Sequence, residues 1–272
     1  MSSVLISAAE LAETLEDVTV LDVRWKLGGP PGHGEYLNGH IPGAVYVSLD
    51  TELAAHGAPT DGRHPLPSLD ALQAAARRWG VREGRPVVVY DGAGNLAAAR
   101  AWWLLRWAGV EDVRLLDGAL PAWEGPLDTD DVVPEPSAIV LRGGALPTLA
   151  LDEVGAFAQA GVLLDARAGE RYRGEVEPID PKAGHIPGAA SAPTTENLAT
   201  DGRFRAPEEL RERFAAVGAD GSRPVGVYCG SGVTAAHEIA ALAIAGVDAA
   251  LYAGSWSQWS NHDELPVATG TG

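Results

Sequence analysis

Val225-Gly-Val-Tyr-Cys-Gly-Ser-Gly-Val-Thr-Ala-Ala-His-Glu-Ile-Ala-Ala-Leu-Ala243 divides into three pieces. Residues 225–228 form a short, partly β-branched apolar run, the pattern of a buried strand. Cys229-Gly-Ser-Gly232 follows, and two glycines in four residues let the backbone curl through positive φ. The stretch 234–245 is rich in Ala, Leu and Ile and predicts a helix. Strand, glycine loop and helix in succession are the building block of a parallel βαβ sheet, in which ligands gather at the carboxyl ends of strands.

Working outward, the same block occurs earlier. Val87-Val-Val-Tyr90 matches Val225-Gly-Val-Tyr228, and each is followed by a glycine-containing loop and a helical stretch, about 96–107 in the first copy. Val20-Leu-Asp-Val-Arg24 recurs as Leu163-Leu-Asp-Ala-Arg167, and Gly39-His-Ile-Pro-Gly-Ala44 recurs as Gly184-His-Ile-Pro-Gly-Ala189. Leu116-Asp-Gly-Ala119 with Trp123 matches Tyr252-Ala-Gly-Ser255 with Trp259. The offsets are 145 residues from His40 to His185, 138 from Tyr90 to Tyr228 and 136 from Trp123 to Trp259. Four blocks in one order at a slowly drifting offset mean two homologous domains. The expected division is 1–125, a connector at 126–147 rich in Pro and acidic residues, and 148–272. Each copy alternates short strands (87–90, 113–116; 225–228, 249–252) with helices, so the expected class is α/β, a parallel sheet flanked by helices in each domain.

Composition narrows the function. The 272 residues are 46% hydrophobic, and 37 Asp+Glu against 20 Lys+Arg give a net charge of −17. So acidic a chain lacks the electrostatic footprint of a nucleic-acid binder or a polybasic membrane-surface protein. It has no run of 18 apolar residues, and its N-terminus has no basic flank, so neither a membrane span nor a signal peptide is expected. The one cysteine excludes an intrachain disulfide framework and a Cys-rich zinc site.

Cys229 is therefore either a small buried hydrophobe or a reactive thiol. Its context favours the thiol: successive loop N–H groups can form an anion-binding nest, and the helix N-terminus adds positive potential. Tyrosine-phosphatase chemistry needs an Arg six residues after the Cys, where this chain has Ala235. A thioredoxin-like role lacks the second thiol. Three tryptophans, Trp102, Trp103 and Trp107, fall at helical spacing and are expected to fill the core or the domain interface, while Trp25 and Trp256 are candidates to line a cleft. The Arg63-His-Pro-Leu-Pro67 turn is assigned no chemistry.

The two His-Ile-Pro-Gly-Ala blocks, the Tyr-Cys-Gly-Ser-Gly-Val-Thr loop and Gly254-Ser-Trp-Ser-Gln-Trp259 closely resemble the two-domain rhodanese-like sulfurtransferases, over nearly the whole chain and in the family's order. The resemblance implies two tandem rhodanese-like domains, the second catalytic and the first inert, because Asp91 stands where the second copy has Cys229. Cys229 would take sulfur from a donor as a persulfide and pass it to a thiol or cyanide acceptor, with loop amides of Gly230, Gly232, Val233 and Thr234 holding the charge. No metal or organic cofactor is implied.

The donor is a small-molecule anion. Thiosulfate-type members typically follow the cysteine with Arg-Lys, and mercaptopyruvate-type members with Gly-Ser, as Gly230-Ser231 do here. That points to 3-mercaptopyruvate, with thiosulfate:cyanide transfer, or a non-enzymatic persulfide carrier, as alternatives. By the same resemblance Ser231 and His40 join Cys229 as catalytic residues and Arg171 binds the donor's anionic group. Mercaptopyruvate-type sequences commonly place a second Arg in Pro-Glu-Pro-Arg; this chain has Val176-Glu-Pro-Ile-Asp180, leaving Lys182 or Arg173 as substitutes. A cytoplasmic protein without nucleic-acid or membrane partners is expected.

Overall fold

The computed structural model describes residues 3–271. By contact the chain forms two compact units. Of the described residues, the first comprises 3–55, 66–146 and 200–204, and the second 56–65, 147–199 and 205–271.

The first unit is built on five parallel strands, β1 (Leu5–Ile6), β2 (Thr19–Asp22), β3 (Val45–Tyr46), β4 (Val87–Tyr90) and β5 (Val113–Leu116), in the order β1-β5-β4-β2-β3. Its longer helices are Ala8–Thr14, Leu69–Arg78 and Ala98–Trp107. The second unit repeats the plan with β6 (Val162–Asp165), β7 (Ala190–Ser191), β8 (Val225–Tyr228) and β9 (Ala249–Leu251), parallel in the order β7-β6-β8-β9. Thr148 adds a single parallel bridge to Leu251, the place that β1 takes beside β5. Its longer helices are Leu151–Ala160, Pro207–Ala216 and Val233–Ile244. Every residue of β4 and of β8 is buried, as a parallel strand covered on both faces requires, which is why both read as continuous apolar runs. Trp102 and Trp103 lie in the first core, as their helical spacing predicts.

The repeated motifs turn out to be braces. Asp22 and Asp165 end their strands opposite Tyr90 and Tyr228. The arginine two residues on, Arg24 or Arg167, pairs with that aspartate and donates to the carbonyl of Gly39 (2.8 Å) or Gly184 (2.6 Å). The next two residues are held as well: Ile41 N and Ile186 N donate to the Tyr90 and Tyr228 hydroxyls. His40 and His185 stack on Tyr36 and Tyr172 with ring centroids 3.9 and 3.7 Å apart. The same ion pair, carbonyl contact and ring stack recur in both copies, a structural reason for both to keep these residues.

The stretch 126–146 belongs to the first unit, tied down along its length. Asp128 exchanges backbone hydrogen bonds with His40, Ser137 N donates to Arg77 O, and Arg142 N donates to Ala108 O.

Candidate active site

Cys229 follows the last residue of β8 at the carboxyl edge of the second sheet and is 2% exposed. Its backbone is fixed from the far side of the loop. Cys229 N donates to Ser255 Oγ (3.1 Å), Trp256 N donates to Cys229 O (3.0 Å), and Ser257 N donates to Gly230 O (2.8 Å). Ser255 itself takes φ +55, a conformation that costs a non-glycine residue energy, and its hydroxyl is anchored by donating to Tyr252 O at 2.9 Å.

Gly232 turns the chain into the helix Val233–Ile244 with φ +79. Its N–H donates to the Cys229 sulfur at 3.1 Å. No side chain caps this helix, so the amides of Val233 and Thr234 open its positive end beside the same loop. In the first unit the same nest is filled from within. Asp91 Oδ1 accepts from Ala93 N (2.7 Å) and Asn95 N (2.8 Å), and Oδ2 accepts from Ala97 N (2.9 Å) and Ala98 N (3.2 Å). That copy spends four amides on its own carboxylate; in the second copy Gly232 N donates to a sulfur.

Two residues after the thiol, Ser231 is 6% exposed and its Oγ lies 2.8 Å from His64 Nδ1. The histidine on Ser231 is thus His64, which belongs to the second unit through the segment 56–65. The expectation paired Ser231 with His40. The structure places His40 in the first unit, fully buried, stacked on Tyr36 with Nδ1 3.0 Å from Tyr36 O. His185 repeats that arrangement with Tyr172, as a brace of the fold does.

Arg171 sits beside the loop: a Cβ placed on Gly230 would lie 3.4 Å from its Nη1. The same Cβ would lie 3.1 Å from Nη2 of Arg63, so two guanidiniums flank Gly230. Neither suggested substitute for the second arginine is this one. Lys182 Nζ donates to His262 O (2.7 Å), and Arg173 pairs with Glu175. Trp256 is fully buried, its Nε1 donating to Lys182 O, and Trp25 donates to Asp50 Oδ1 in the first unit.

Carboxylates orient the pair. Glu177 accepts from Arg171 Nη2 (2.7 Å), and Asp180 joins Arg171 Nη2 (3.1 Å) to Arg63 Nη1. Burial alone raises Glu177, but the Arg171 hydrogen bond and the Asp180 and Ile179 amides outweigh it and hold the carboxyl below its ordinary value. For Asp180, burial wins and the carboxyl is pushed up, against the lowering pull of Arg63 and Arg171.

Arg63 and His64 are the residues that reading the sequence passed over. A signal was present: Thr60-Asp-Gly-Arg63 recurs 140 residues later as Thr200-Asp-Gly-Arg203. Residues 56–65 fall in the second unit and 200–204 in the first, where Phe204 N donates to Asp117 Oδ1 (3.0 Å).

A buried thiol at a strand end, cradled by a glycine loop and a helix N-terminus in a twofold-repeated parallel sheet, defines a class, and comparison with known proteins agrees. The rhodanese-like domain family matches residues 7–126 and 150–262, and the chain belongs to that family. It is 50% identical, over 98% of each chain, to a protein of Mycobacterium tuberculosis named "Putative thiosulfate sulfurtransferase SseB". It is 36% identical, over 96% of each chain, to the 3-mercaptopyruvate sulfurtransferase of Escherichia coli K12. The crystal structure of SseA from Escherichia coli, described with the rhodanese fold and the catalytic mechanism of 3-mercaptopyruvate sulfotransferases, superposes with a TM-score of 0.84 at 33% identity, covering 94% of this chain and 99% of that one. The protein is a sulfurtransferase of two tandem rhodanese-like domains.

Proposed function

We propose that this sulfurtransferase takes sulfur from 3-mercaptopyruvate onto Cys229 as a persulfide and delivers it to a small thiol or to cyanide. The observation that carries this reading is the Ser231–His64 pair beside the thiol, with Arg171 and Arg63 flanking Gly230. The guanidiniums are suited to the donor carboxylate, which each can meet with parallel N–H groups. The Cys229 thiolate attacks the donor sulfur, the carbon–sulfur bond breaks, and its electron pair passes into the enolate of pyruvate. That carbanion equivalent needs a proton, and Ser231, relayed by His64, is placed to supply one. Pyruvate leaves and the charge on the outer sulfur falls to Gly232 N and the neighbouring loop amides. The acceptor then attacks the outer sulfur, the sulfur–sulfur bond breaks, and the Cys229 thiolate is regenerated.

Thiosulfate is the second reading, supported by the name of the 50% identical relative and by a two-arginine site suited to a dianion. Its leaving group, sulfite, departs with the electron pair and needs no proton, so that reaction leaves the Ser231–His64 pair without a task. A single thiol carried without a partner cysteine suits a reducing compartment, and we place the activity in the cytoplasm.

The test is steady-state sulfur transfer with each donor, together with intact-protein mass spectrometry. Pyruvate release with a mass gain of one sulfur atom supports the first reading, and sulfite release without pyruvate supports the second. Turnover surviving in Cys229→Ser overturns both.

A further inference from the structure

Around the donor site, cations and anions are matched one for one. Arg171 is held by Glu177 and Asp180, and Arg63 by Asp180. Two guanidiniums facing two carboxylates leave no net positive charge, in a chain whose overall charge is already −17. Glu177 has work besides: it also meets Arg167 Nη1 (3.3 Å), which braces Asp165 and Gly184. Among the described residues the Asp180 carboxylate meets Arg63 and Arg171 and has no such second anchor. Its carboxylate, 2% exposed, spans the two guanidiniums, one oxygen on each, as a bound carboxylate would.

We propose that Asp180 is a specificity-determining residue: its carboxylate occupies the anionic-head position across Arg63 and Arg171, and an anionic donor binds by displacing it. This rests on the reading that these two arginines receive the donor. Room for the displaced side chain is at hand. Asp180 forms part of the wall of a cavity of about 370 Å³ lined also by His56, Pro59, Arg63, Pro181 and Asn261. The segment carrying it is lightly held on its outer side, with Val176 and Ile179 49% and 43% exposed. An internal ligand of this kind lowers the apparent affinity of every donor that needs the same two guanidiniums, by the fraction of time it leaves them free. The consequence is a high donor KM with the chemical step unimpaired, and a preference for donors whose anionic group pairs with both arginines well enough to outcompete a tethered carboxylate.

Asp180→Asn keeps the shape and removes the charge. KM for 3-mercaptopyruvate is expected to fall about tenfold, with kcat within about twofold of the parent, and the inhibition constant of the non-reacting carboxylate pyruvate to fall in parallel. Asp180→Glu keeps the charge and retains the high KM. A second measurement needs no variant. The groups facing Asp180 are Arg63, Arg171 and Glu177. Glu177 is held below its ordinary range and Asp180 is pushed above it by burial, so of the two carboxyls Asp180 takes up a proton first as pH falls. Pyruvate inhibition of the parent enzyme therefore tightens as pH falls and Asp180 takes up a proton, and this trend is lost in Asp180→Asn. An Asp180→Asn enzyme whose KM is unchanged or raised, or pyruvate inhibition of the parent that does not respond to pH, overturns the proposal. Loading of Cys229 with pyruvate release in the parent tests the underlying reading separately, so the two failures are told apart.

Discussion

His64 Nδ1 lies 2.8 Å from Ser231 Oγ although the two residues are 167 positions apart in the chain. On the proposed function, this hydroxyl in contact with an imidazole, two residues from Cys229, serves as a proton-transfer device, and which donors need it is a matter of chemistry.

If the pair protonates the departing enolate, Ser231→Ala and His64→Asn should each lower kcat for 3-mercaptopyruvate by about 10²- to 10⁴-fold, measured as pyruvate release. Transfer from thiosulfate, which requires no proton at carbon, should fall by less than about tenfold. Because the two act as one unit, the double variant should be little worse than either single one. Equal losses with both donors would place the pair in structure instead.

On the proposed function, Arg63 supplies half of a two-arginine clamp beside Gly230. Removing one charge-assisted contact to an anion costs about 1.5–3 kcal/mol, so Arg63→Ala should raise the donor KM by about tenfold or more and leave kcat nearly intact. Arg63→Lys should recover only part of this, since a point charge lacks the planar fork. A KM unchanged in Arg63→Ala would remove the residue from donor binding.

Gly232 can be nothing larger. At φ +79 a Cβ on it would stand 2.4 Å from the carbonyl oxygen of Ala253. Gly232→Ala must either shift that backbone or unwind the start of the helix Val233–Ile244, at a cost of about 1–3 kcal/mol for the strained conformation alone. The expected outcome is a lower thermal midpoint and loss of sulfur loading at Cys229, read by calorimetry and mass spectrometry on the same sample.

Glu238, one face of the same helix, is fully buried between Asn197 Nδ2 (2.6 Å) and Arg213 Nη1 (3.4 Å). Burial raises its pKa from an ordinary 4.5 to about 7, over the lowering effect of Arg213. The folded protein therefore binds a proton that the unfolded chain has released, and stability falls as pH rises from about 4.5 to about 7. Glu238→Gln should flatten that part of the stability curve, removing a dependence on the order of 2–3 kcal/mol. Denaturant titrations at acid and neutral pH check it; a slope identical to the parent's would show that the side chain stays charged.

How far the site was legible follows from how each residue is tied to its neighbours. Cys229, its glycines and the helix after them lie in one continuous stretch, and strand, loop and helix follow from local pattern. The Asp91 copy was legible for the same reason, as a repeat set against its partner. His40 drew attention because Gly39-His-Ile-Pro-Gly-Ala44 is a loud motif, and in the structure its ring stacks on Tyr36 as His185 does on Tyr172, while Ser231 meets His64. Arg63 and His64 stood in a turn of Gly, Pro and polar residues with no periodicity, and nothing local says which unit such a turn joins.

The amino-acid sequence by itself determined the two homologous α/β units, the single thiol at the end of one central strand and the aspartate at the end of the other. Each of these follows from neighbours along the chain or from a repeat read in order. Tertiary structure alone decided that residues 56–65 pack with the second unit, that His64 meets Ser231, and that Arg63 and Arg171 share the carboxylate of Asp180. Side-chain encounters across 117 and 167 positions depend on where an irregular segment is carried by the folded backbone, and short-range propensity does not encode that path.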